Sequence, residues 1–230
     1  MATPKDHKRV NDILLGPLER PALQWLAAHA PAWMTPDKLT AIGVFGALLI
    51  FLGYVGSRNN PLWLWLANLG LVVNWYGDSL DGTLARYRNI QRPKYGFFVD
   101  HTVDAFNEML IVLGLGLSPF VRFNIASLAL VGYLLQSVYV YVRTFIDGVF
   151  QISYGKLGPT EVRAVLFLMN IAMLVLGQYG FSFSFGTLTI YDVVVGAIAV
   201  FLIGLFLVSS WQRGRELARE DPARKANHKR

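Results

Sequence analysis

Long uncharged segments alternate with short basic segments along this chain of 230 residues. Residues 39–56, 123–142 and 193–211 are each uncharged and each long enough for a helix that crosses about 30 Å of hydrocarbon, which takes about 20 residues. The uncharged segment 164–191 is too long for one span. Its sequence QYGFSFSFGT is rich in Gly and Ser, so we place a turn there and end that span near Gly177. These segments predict four membrane-spanning helices.

Two further apolar segments carry acidic residues. Residues 61–77 are uncharged but run directly into Asp78, and residues 97–121 contain Asp100, Asp104 and Glu108 in their first half. A charged side chain at mid-membrane costs about 2.5 to 3.5 kcal/mol on insertion scales, so acids in neighbouring spans need a specific reason. We therefore predict an all-α membrane protein with six transmembrane helices and an unusual polar site in two of them.

The composition supports a membrane protein. Apolar residues make up 54% of the chain and charged residues 16%, and the mean hydropathy is +0.41. Soluble domains carry about 25% charged residues, so this chain has too few charges to cover a globule in water. It contains no cysteine, which excludes disulfides and thiolate metal sites. Any metal must be held by oxygen or imidazole ligands.

The basic residues predict the orientation of the six spans. When Lys and Arg are assigned to alternate sides, 19 of the 21 fall on one side and only Arg58 and Arg122 fall on the other. Cytoplasmic segments carry the excess of Lys and Arg, so both termini are expected in the cytoplasm. Topology accounts for most of the net charge of +6, and no nucleic-acid partner is expected.

The segment before the first span predicts a short amphipathic helix in the cytoplasmic interface, broken by Pro17 and Pro21. The apolar residues that recur at helical spacing there are Val10, Ile13, Leu14 and Leu18. A disordered tail is the alternative interpretation. The expected division is thus an interfacial segment 1–37, a transmembrane domain 38–212, and a basic tail 213–230 that lies on an anionic membrane surface or is disordered.

The acidic residues fall on one face of each of two neighbouring helices. Asp78, Asp81, Gly82, Ala85 and Arg86 share one helical face, and Gly96, Asp100 and Asp104 share another. A short basic link joins the two helices, so they are antiparallel and the four aspartates should converge at the cytoplasmic end of the bundle. Four such anions repel one another unless cations are bound. Carboxylates suit Mg²⁺, Mn²⁺ or Ca²⁺, and four of them can hold two ions about 3.5 to 4 Å apart.

Small residues on the acidic face have two interpretations. Gly82 and Ala85 can leave room for a ligand to approach the helix backbone. They can equally serve close packing against another membrane helix.

The complete pattern resembles the signature of the CDP-alcohol phosphotransferases, which are integral-membrane enzymes of phospholipid synthesis. It reads Asp78-x2-Asp81-Gly82-x2-Ala85-Arg86-x9-Gly96-x3-Asp100-x3-Asp104. The resemblance implies two divalent cations, Mg²⁺ or Mn²⁺, held by the four aspartates, with Asp104 also acting as general base toward the acceptor hydroxyl. It implies that Gly96 lets its helix pack close to the site of the CDP group.

The resemblance also implies a binding site for the CDP group. Its residues would be Gly82, Ala85, Arg86, Asp81, Thr40 and Pro36. Thr35, Pro36 and Thr40 are similar to a weaker family element, TPNxLT, in which Asp37 here replaces Asn. That replacement puts the contact of this side chain with the nucleotide in doubt.

The acceptor site is expected beside the aspartates. Candidates are His101, Glu108, Arg143 and Arg163. Each has a simpler alternative role: His101 as a hydrogen-bonded neighbour of metal ligands, Glu108 as a partner of Asn74, and the arginines as interfacial topology charges.

The expected reaction moves a substituted phosphate from a CDP-linked donor to a hydroxyl and releases CMP. We favour CDP-diacylglycerol as the donor. The alternative is a soluble CDP-alcohol of the choline or ethanolamine type donated to a lipid hydroxyl. A divalent-cation transporter or channel is an alternative of another class, but it would not need Gly82, Ala85 and Arg86. We expect a homodimer in the inner membrane of a bacterial cell, with the active site facing the cytoplasm.

Overall fold

The computed structural model describes residues 14–147, 158–183 and 186–221. Within these ranges the chain is almost entirely helical. The helices are α1 (Gly16–His29), α2 (Pro36–Gly56), α3 (Leu64–Tyr87), α4 (Pro93–Leu117), α5 (Phe123–Asp147), α6 (Pro159–Leu176) and α7 (Ile190–Glu220). A single 3₁₀ turn, Pro61–Trp63, precedes α3, and a hairpin of β1 (Gly180–Phe183) and β2 (Gly186–Thr189) lies between α6 and α7.

Four of these helices are long and apolar enough to cross a membrane, namely α2, α5, α6 and α7. The other two long helices, α3 and α4, have 24 and 25 residues, so each is about 36 Å long at 1.5 Å per residue. Each is long enough to cross a membrane, and its carboxylates lower its mean hydropathy. The count of six spans stays a prediction.

Side-chain and proline signals mark the helix starts close to where the sequence places them. Thr35 caps α2 by accepting a hydrogen bond from the Lys38 amide at 3.3 Å, and Pro36 occupies the first turn. Glu161 accepts a hydrogen bond from the Gly158 amide at 2.9 Å and so caps α6. Gly177 follows the last residue of α6 with a positive φ of 62°, at the predicted end of that span.

The expectation that Pro17 and Pro21 break the N-terminal helix is wrong, because α1 is continuous through both residues. Pro17 lies in the first turn, where a missing amide hydrogen costs little, and Pro21 lies inside a continuous helix. Pro21 removes only one backbone hydrogen bond near the helix start. Leu23 and Ala27 are buried in a cluster with Leu80 and Leu84 of α3, while Leu18 and Trp25 are exposed, and the amphipathic interfacial helix stays a prediction. Val10 and Ile13 lie outside the described residues.

The hairpin departs from the expected all-α fold. β1 and β2 pair antiparallel with Gly180 opposite Thr189 and Phe181 opposite Leu188. The Gly and Ser content of this segment predicts only a turn. The same residues alternate Phe and Ser, which is the period-two pattern of a strand. That alternation is the signal that was missed.

The last helix is longer than predicted. α7 continues past Trp211 to Glu220, so the expected boundary between residues 212 and 213 falls inside a helix. Arg213 explains the extension, since its guanidinium donates to Asp147 of α5 at 2.6 Å and to Glu216 at 2.9 Å. Residues 222–230 lie outside the described part of the chain.

The most extensive helix contact joins α2 and α3 through glycine. A Cβ added to Gly77 would lie 2.5 Å from the Leu39 carbonyl oxygen, and one added to Gly46 would lie 2.7 Å from the Asn74 Cα. A Cβ on Gly70 would lie 2.7 Å from the Ile50 amide nitrogen. Only glycine permits backbones to approach this closely. This contact holds α3 against α2 along most of its length, while α1 and α6 pack against other parts of α3 and α4 packs against α2 and α5.

Candidate active site

The four aspartates converge where the C-terminal half of α3 faces the N-terminal half of α4. Asp81 lies close enough to Asp78 and Asp100 to interact with them electrostatically, and Asp104 interacts with the same two residues. All four aspartates are half-buried. The link of residues 88–92 is short, and it brings the aspartates of both helices to one end of the bundle, as expected from the sequence.

A group of three potential metal ligands lies together on α4. One ligand atom from each of Asp100, His101 and Asp104 lies within 4.8 Å of the others. Carboxylate oxygens and an imidazole nitrogen suit Mg²⁺, Mn²⁺ or other divalent cations. The donor set present here therefore fits a divalent metal. His101 belongs to this group, whereas the sequence interpretation assigns it to the acceptor.

Asp78 is held by an arginine from a third helix. Arg163 of α6 forms an ion pair with the Asp78 carboxylate, and both side chains are largely shielded, at 14% and 18% exposure. The Arg163 Nε donates to the Asn74 Oδ1 at 2.8 Å, and the Asn74 amide donates to the Gly43 carbonyl at 2.9 Å. This chain of contacts connects α6 through α3 to α2. It places one fixed positive charge among the aspartates.

Arg163 also presents an unused donor. Its buried Nη1 has no hydrogen-bond partner among the residues that the structure describes. A buried guanidinium nitrogen without a partner is costly, so a ligand or water that accepts a hydrogen bond is expected there.

Asp81 is held by the start of α2. The Thr40 hydroxyl donates to the Asp81 Oδ2 at 2.7 Å, and it lies 3.1 Å from the Pro36 carbonyl oxygen one turn earlier. The start of α2, with Pro36 and Thr40, thus lies beside Asp81, and the CDP-binding role of these two residues stays a prediction. Asp37 in the same turn forms an ion pair with Arg92 at the start of α4. Its carboxylate is therefore engaged by protein.

The face of α3 that carries the acids is open beyond the aspartates. A Cβ added to Gly82 would have as nearest neighbours only the guanidinium atoms of Arg86, at 3.3 Å or more. Arg86 is exposed and donates to the Thr83 hydroxyl at 3.1 Å, and Ala85 is half-buried. A Cβ added to Gly96 would meet nothing within 4 Å among the described residues. The expectation that Gly96 lets its helix pack close to the CDP group stays a prediction.

His101 lies between aromatic rings. Phe97 meets it edge-on with ring centroids 4.2 Å apart, and Tyr141 of α5 lies at 5.2 Å. The His101 Nδ1 is 3.8 Å from the Asp100 carboxylate. These neighbours fix the ring beside the aspartates.

Deeper in the bundle, α5 supplies residues that the sequence analysis missed. Tyr133 interacts electrostatically with Glu108, Asp104 and Arg163, and Tyr141 interacts with Asp104 and Asp100. Glu108 in turn interacts with Arg163. Tyr133 and Tyr141 are eight residues apart in an uncharged helix, so they share one face. That spacing is the signal that could have found them.

Arg143, the remaining acceptor candidate, belongs to an ion network at the ends of α5 and α7. Its Nε donates to Asp147 at 3.1 Å, and Asp147 also accepts a hydrogen bond from Arg213. The structure thus gives Arg143 a role in joining these two helices.

Comparison with known proteins places this geometry in a family. The model of the CDP-alcohol phosphatidyltransferase family matches residues 33–209. The archaetidylinositol phosphate synthase of Pyrococcus horikoshii is 30% identical over 138 residues, which cover 60% of this chain and 70% of that protein. Mouse cholinephosphotransferase 1 is 26% identical over 153 residues, which cover 63% of this chain and 38% of that protein. The chain thus corresponds to well under half of the length of that relative.

A solved structure has the same fold. The phosphatidylinositol phosphate synthase of Mycobacterium tuberculosis, crystallised with CDP-DAG bound, superposes with a TM-score of 0.53 at 16% identity and covers 86% of this chain and 92% of its own. The family match includes α2 to α6 and most of α7, and with them all four aspartates. The chain therefore belongs to the CDP-alcohol phosphatidyltransferase family, whose members are membrane enzymes of phospholipid synthesis that transfer substituted phosphate groups.

Proposed function

We propose that this chain transfers a phosphatidyl group from CDP-diacylglycerol to the hydroxyl of a small alcohol and releases CMP. The observation that carries the proposal is the convergence of four aspartates beside an open, glycine-bearing face of α3. A diphosphate needs both features, since it brings negative charge that cations must balance and bulk that needs space.

Two divalent cations, Mg²⁺ or Mn²⁺, would be held by the four aspartates Asp78, Asp81, Asp100 and Asp104. These cations would neutralise the negative charge of the donor phosphates. Thr40 keeps the Asp81 carboxylate oriented through its hydrogen bond. Gly82 and Ala85 leave space for the CDP group beside Asp81, Pro36 and Thr40, and the exposed Arg86 guanidinium pairs with a phosphate oxygen. These residues bind and orient the donor.

Asp104 serves as the general base. The acceptor oxygen forms a bond to the phosphorus of the phosphatidyl group, and the bond from that phosphorus to the CMP oxygen breaks. The hydroxyl proton passes to the Asp104 carboxylate, and CMP leaves with the electron pair of the broken bond. Positioned proton acceptors contribute about 10² to 10⁴-fold to such reactions.

The acceptor alcohol occupies the space between α4, α5 and α6. The unused Nη1 of Arg163 supports this assignment, because an acceptor oxygen would satisfy it. Glu108 borders the same space through its interaction with Arg163, and His101 borders it beside Asp104. Arg143 lies at its cytoplasmic end.

The choice of CDP-diacylglycerol as donor draws support from two named relatives. One is named as a synthase of archaetidylinositol phosphate, and the other was crystallised with CDP-DAG. The similarity to cholinephosphotransferase favours the second candidate, a soluble CDP-alcohol donated to a lipid hydroxyl. A cation transporter is not favoured, because the family match covers the residues that carry the metal-ligand pattern.

The topology proposed with this function has six spans. In it, α3 and α4 cross together with the four apolar helices, α1 lies in the interface, and both termini and the aspartates face the cytoplasm. We place the protein in a bacterial inner membrane as a homodimer.

The test is a substrate panel with purified protein in detergent. The protein is incubated with Mg²⁺ or Mn²⁺, with CDP-diacylglycerol and small alcohols or inositol phosphate in one arm and with CDP-choline or CDP-ethanolamine and diacylglycerol in the other. CMP and the lipid product are measured. We expect product only in the first arm, loss of product with a chelator, and recovery when metal is restored. Product confined to the second arm would establish the other donor, and cation flux in liposomes without CDP cleavage would exclude the transferase.

A further inference from the structure

A polar cavity of about 300 Å³ lies at the end of the bundle opposite the aspartates. The links α2–α3 and α4–α5, the hairpin and the start of α7 form it. Its polar lining consists of Arg58, Ser118, Arg122, Gln178, Thr187, Thr189 and Asp192. Along α4, 14 residues separate Asp104 from Ser118, a distance of about 21 Å. The cavity is therefore separate from the candidate active site.

The two arginines that fall on the side of the bundle otherwise free of Lys and Arg both line this cavity. Arg58 and Arg122 are the only Lys or Arg residues in the three links at this end, 57–63, 118–122 and 177–189. Topology alone does not explain two basic residues on the side where basic residues are otherwise excluded. It also does not explain why both line one cavity.

The lining carries one positive charge in excess. Asp192 is buried, accepts hydrogen bonds from the amides of Arg122 at 2.7 Å and Thr189 at 3.0 Å, and lies 3.9 Å from the Arg122 Nε. Arg122 also donates to the Thr187 carbonyl at 2.5 Å, so it is fixed in place. Arg58 is exposed and forms no ion pair with any residue that the structure describes. One negative charge in the cavity would balance the site.

We propose that this cavity binds the phosphate of an anionic phospholipid from the leaflet on that side. A phosphodiester carries the single negative charge that the lining lacks, and guanidinium groups bind phosphate oxygens in pairs. The cavity lies where the apolar helices α2, α5 and α7 begin or end, which is the level of lipid head groups. At the same level, the apolar side chains of Trp63 and Phe123 are exposed and provide contact for the acyl chains of a lipid. A free phosphate ion has no acyl chains to use this contact.

The absence of cysteine permits a reporter at this site alone. Asn59 is exposed and adjoins Arg58 without lining the cavity. The variant Asn59→Cys is labelled with a fluorophore, and the purified protein in detergent is titrated with phosphatidylglycerol that carries a nitroxide quencher near its head group. The same titration is made with Arg58→Ala added and, as a matched control, with Arg219→Ala, an exposed arginine at the other end of the molecule. Thermal unfolding without lipid checks that each variant is folded.

We expect the half-saturating lipid concentration to rise about fivefold with Arg58→Ala, the factor that corresponds to about 1 kcal/mol for one arginine near a membrane surface. Arg219→Ala should leave it unchanged, and unlabelled phosphatidylglycerol should displace the quencher better than phosphatidylcholine does. Equal quenching with and without Arg58 overturns the proposal. So does equal displacement by phosphatidylcholine, which would indicate an apolar site, or equal displacement by inorganic phosphate, which would indicate a site for a free anion.

Discussion

The two sides of α3 use small residues in opposite ways. Toward α2, glycines bring backbone against backbone, and any Cβ on Gly77 or Gly46 would collide with main-chain atoms. On the side of the aspartates, a Cβ on Gly82 would meet only the flexible guanidinium of Arg86, and one on Gly96, across the site on α4, would meet no described residue within 4 Å. The first side makes a rigid support, while the second side keeps space beside the aspartates.

This difference separates the two interpretations that the sequence leaves open for Gly82. Close packing against another helix would place backbone or core side chains near its missing Cβ, as it does at Gly77. The geometry at Gly82 has no such neighbour. We therefore infer that Gly82 and Gly96 serve a ligand and that Gly46, Gly70 and Gly77 serve the fold.

The largest effect expected on the α4 side is chemical. Asp104→Asn keeps the size of the side chain but removes its capacity to accept a proton. CMP release should fall about 10² to 10⁴-fold, the usual contribution of a general base, while the melting temperature stays close to that of the unmodified protein.

Asp221→Asn, at the exposed end of α7, is the matched control and should retain full turnover. Undiminished CMP release by Asp104→Asn would exclude this residue as the base.

On the α2 side the largest effect should be on stability. Gly77→Ala forces the new methyl group against the Leu39 carbonyl and the Gly43 backbone, and overpacking of this kind costs about 1 to 3 kcal/mol. The melting temperature in detergent should fall clearly, and activity should fall with the folded fraction.

Gly214→Ala is the control for Gly77→Ala, because a Cβ at Gly214 in α7 meets nothing within 4 Å of the described residues. It should be neutral or stabilising, since Ala favours helix over Gly. If both variants melt at the same temperature, the close α2–α3 contact does not limit stability.

Gly82→Ala should separate binding from folding. The added methyl group narrows the space for the CDP group, so we expect the KM for the donor to rise about tenfold, which corresponds to about 1.4 kcal/mol. The melting temperature should be unchanged or higher, because Ala favours helix over Gly. The donor KM and the melting temperature are both measured. A lower melting temperature with an unchanged KM would indicate that Gly82 serves helix packing and not donor binding.

The smallest effect is expected at Asp37, where this chain differs from the pattern of its family. Its ion pair with Arg92 is exposed at 52% on both sides, and exposed pairs contribute about 0 to 1 kcal/mol. Asp37→Asn should therefore leave both turnover and the donor KM within about twofold of the unmodified protein. A much larger change in KM would mean that position 37 contacts the nucleotide after all.

Much of the fold was readable from local signals. The uncharged segments located α2, α5, α6 and α7 to within a few residues at most ends, because burial in lipid demands continuous apolar sequence. The hairpin and the extension of α7 were missed. A short Phe-Ser alternation is a weak signal beside a Gly-rich turn, and α7 continues past Trp211 because Arg213 finds partners on α5 that no local pattern reveals.

The candidate site could likewise be predicted from the sequence only in part. The spacing of the aspartates on two helices sufficed to predict that they meet, since an antiparallel pair with a short link has few other arrangements. It did not predict that Arg163 pairs with Asp78, that Thr40 donates to Asp81, or that Tyr133 lies near Glu108. Those partners lie on helices whose rotation and depth depend on packing.

The sequence by itself thus determined the helices, the family and the two faces that carry the acids, because helical periodicity and hydropathy are local properties. Only the tertiary structure decided which glycines pack and which leave space, and which charges neighbour the aspartates. Those outcomes depend on how closely α2, α4 and α6 approach α3. Side-chain contacts between distant segments set that approach, and no single segment encodes it.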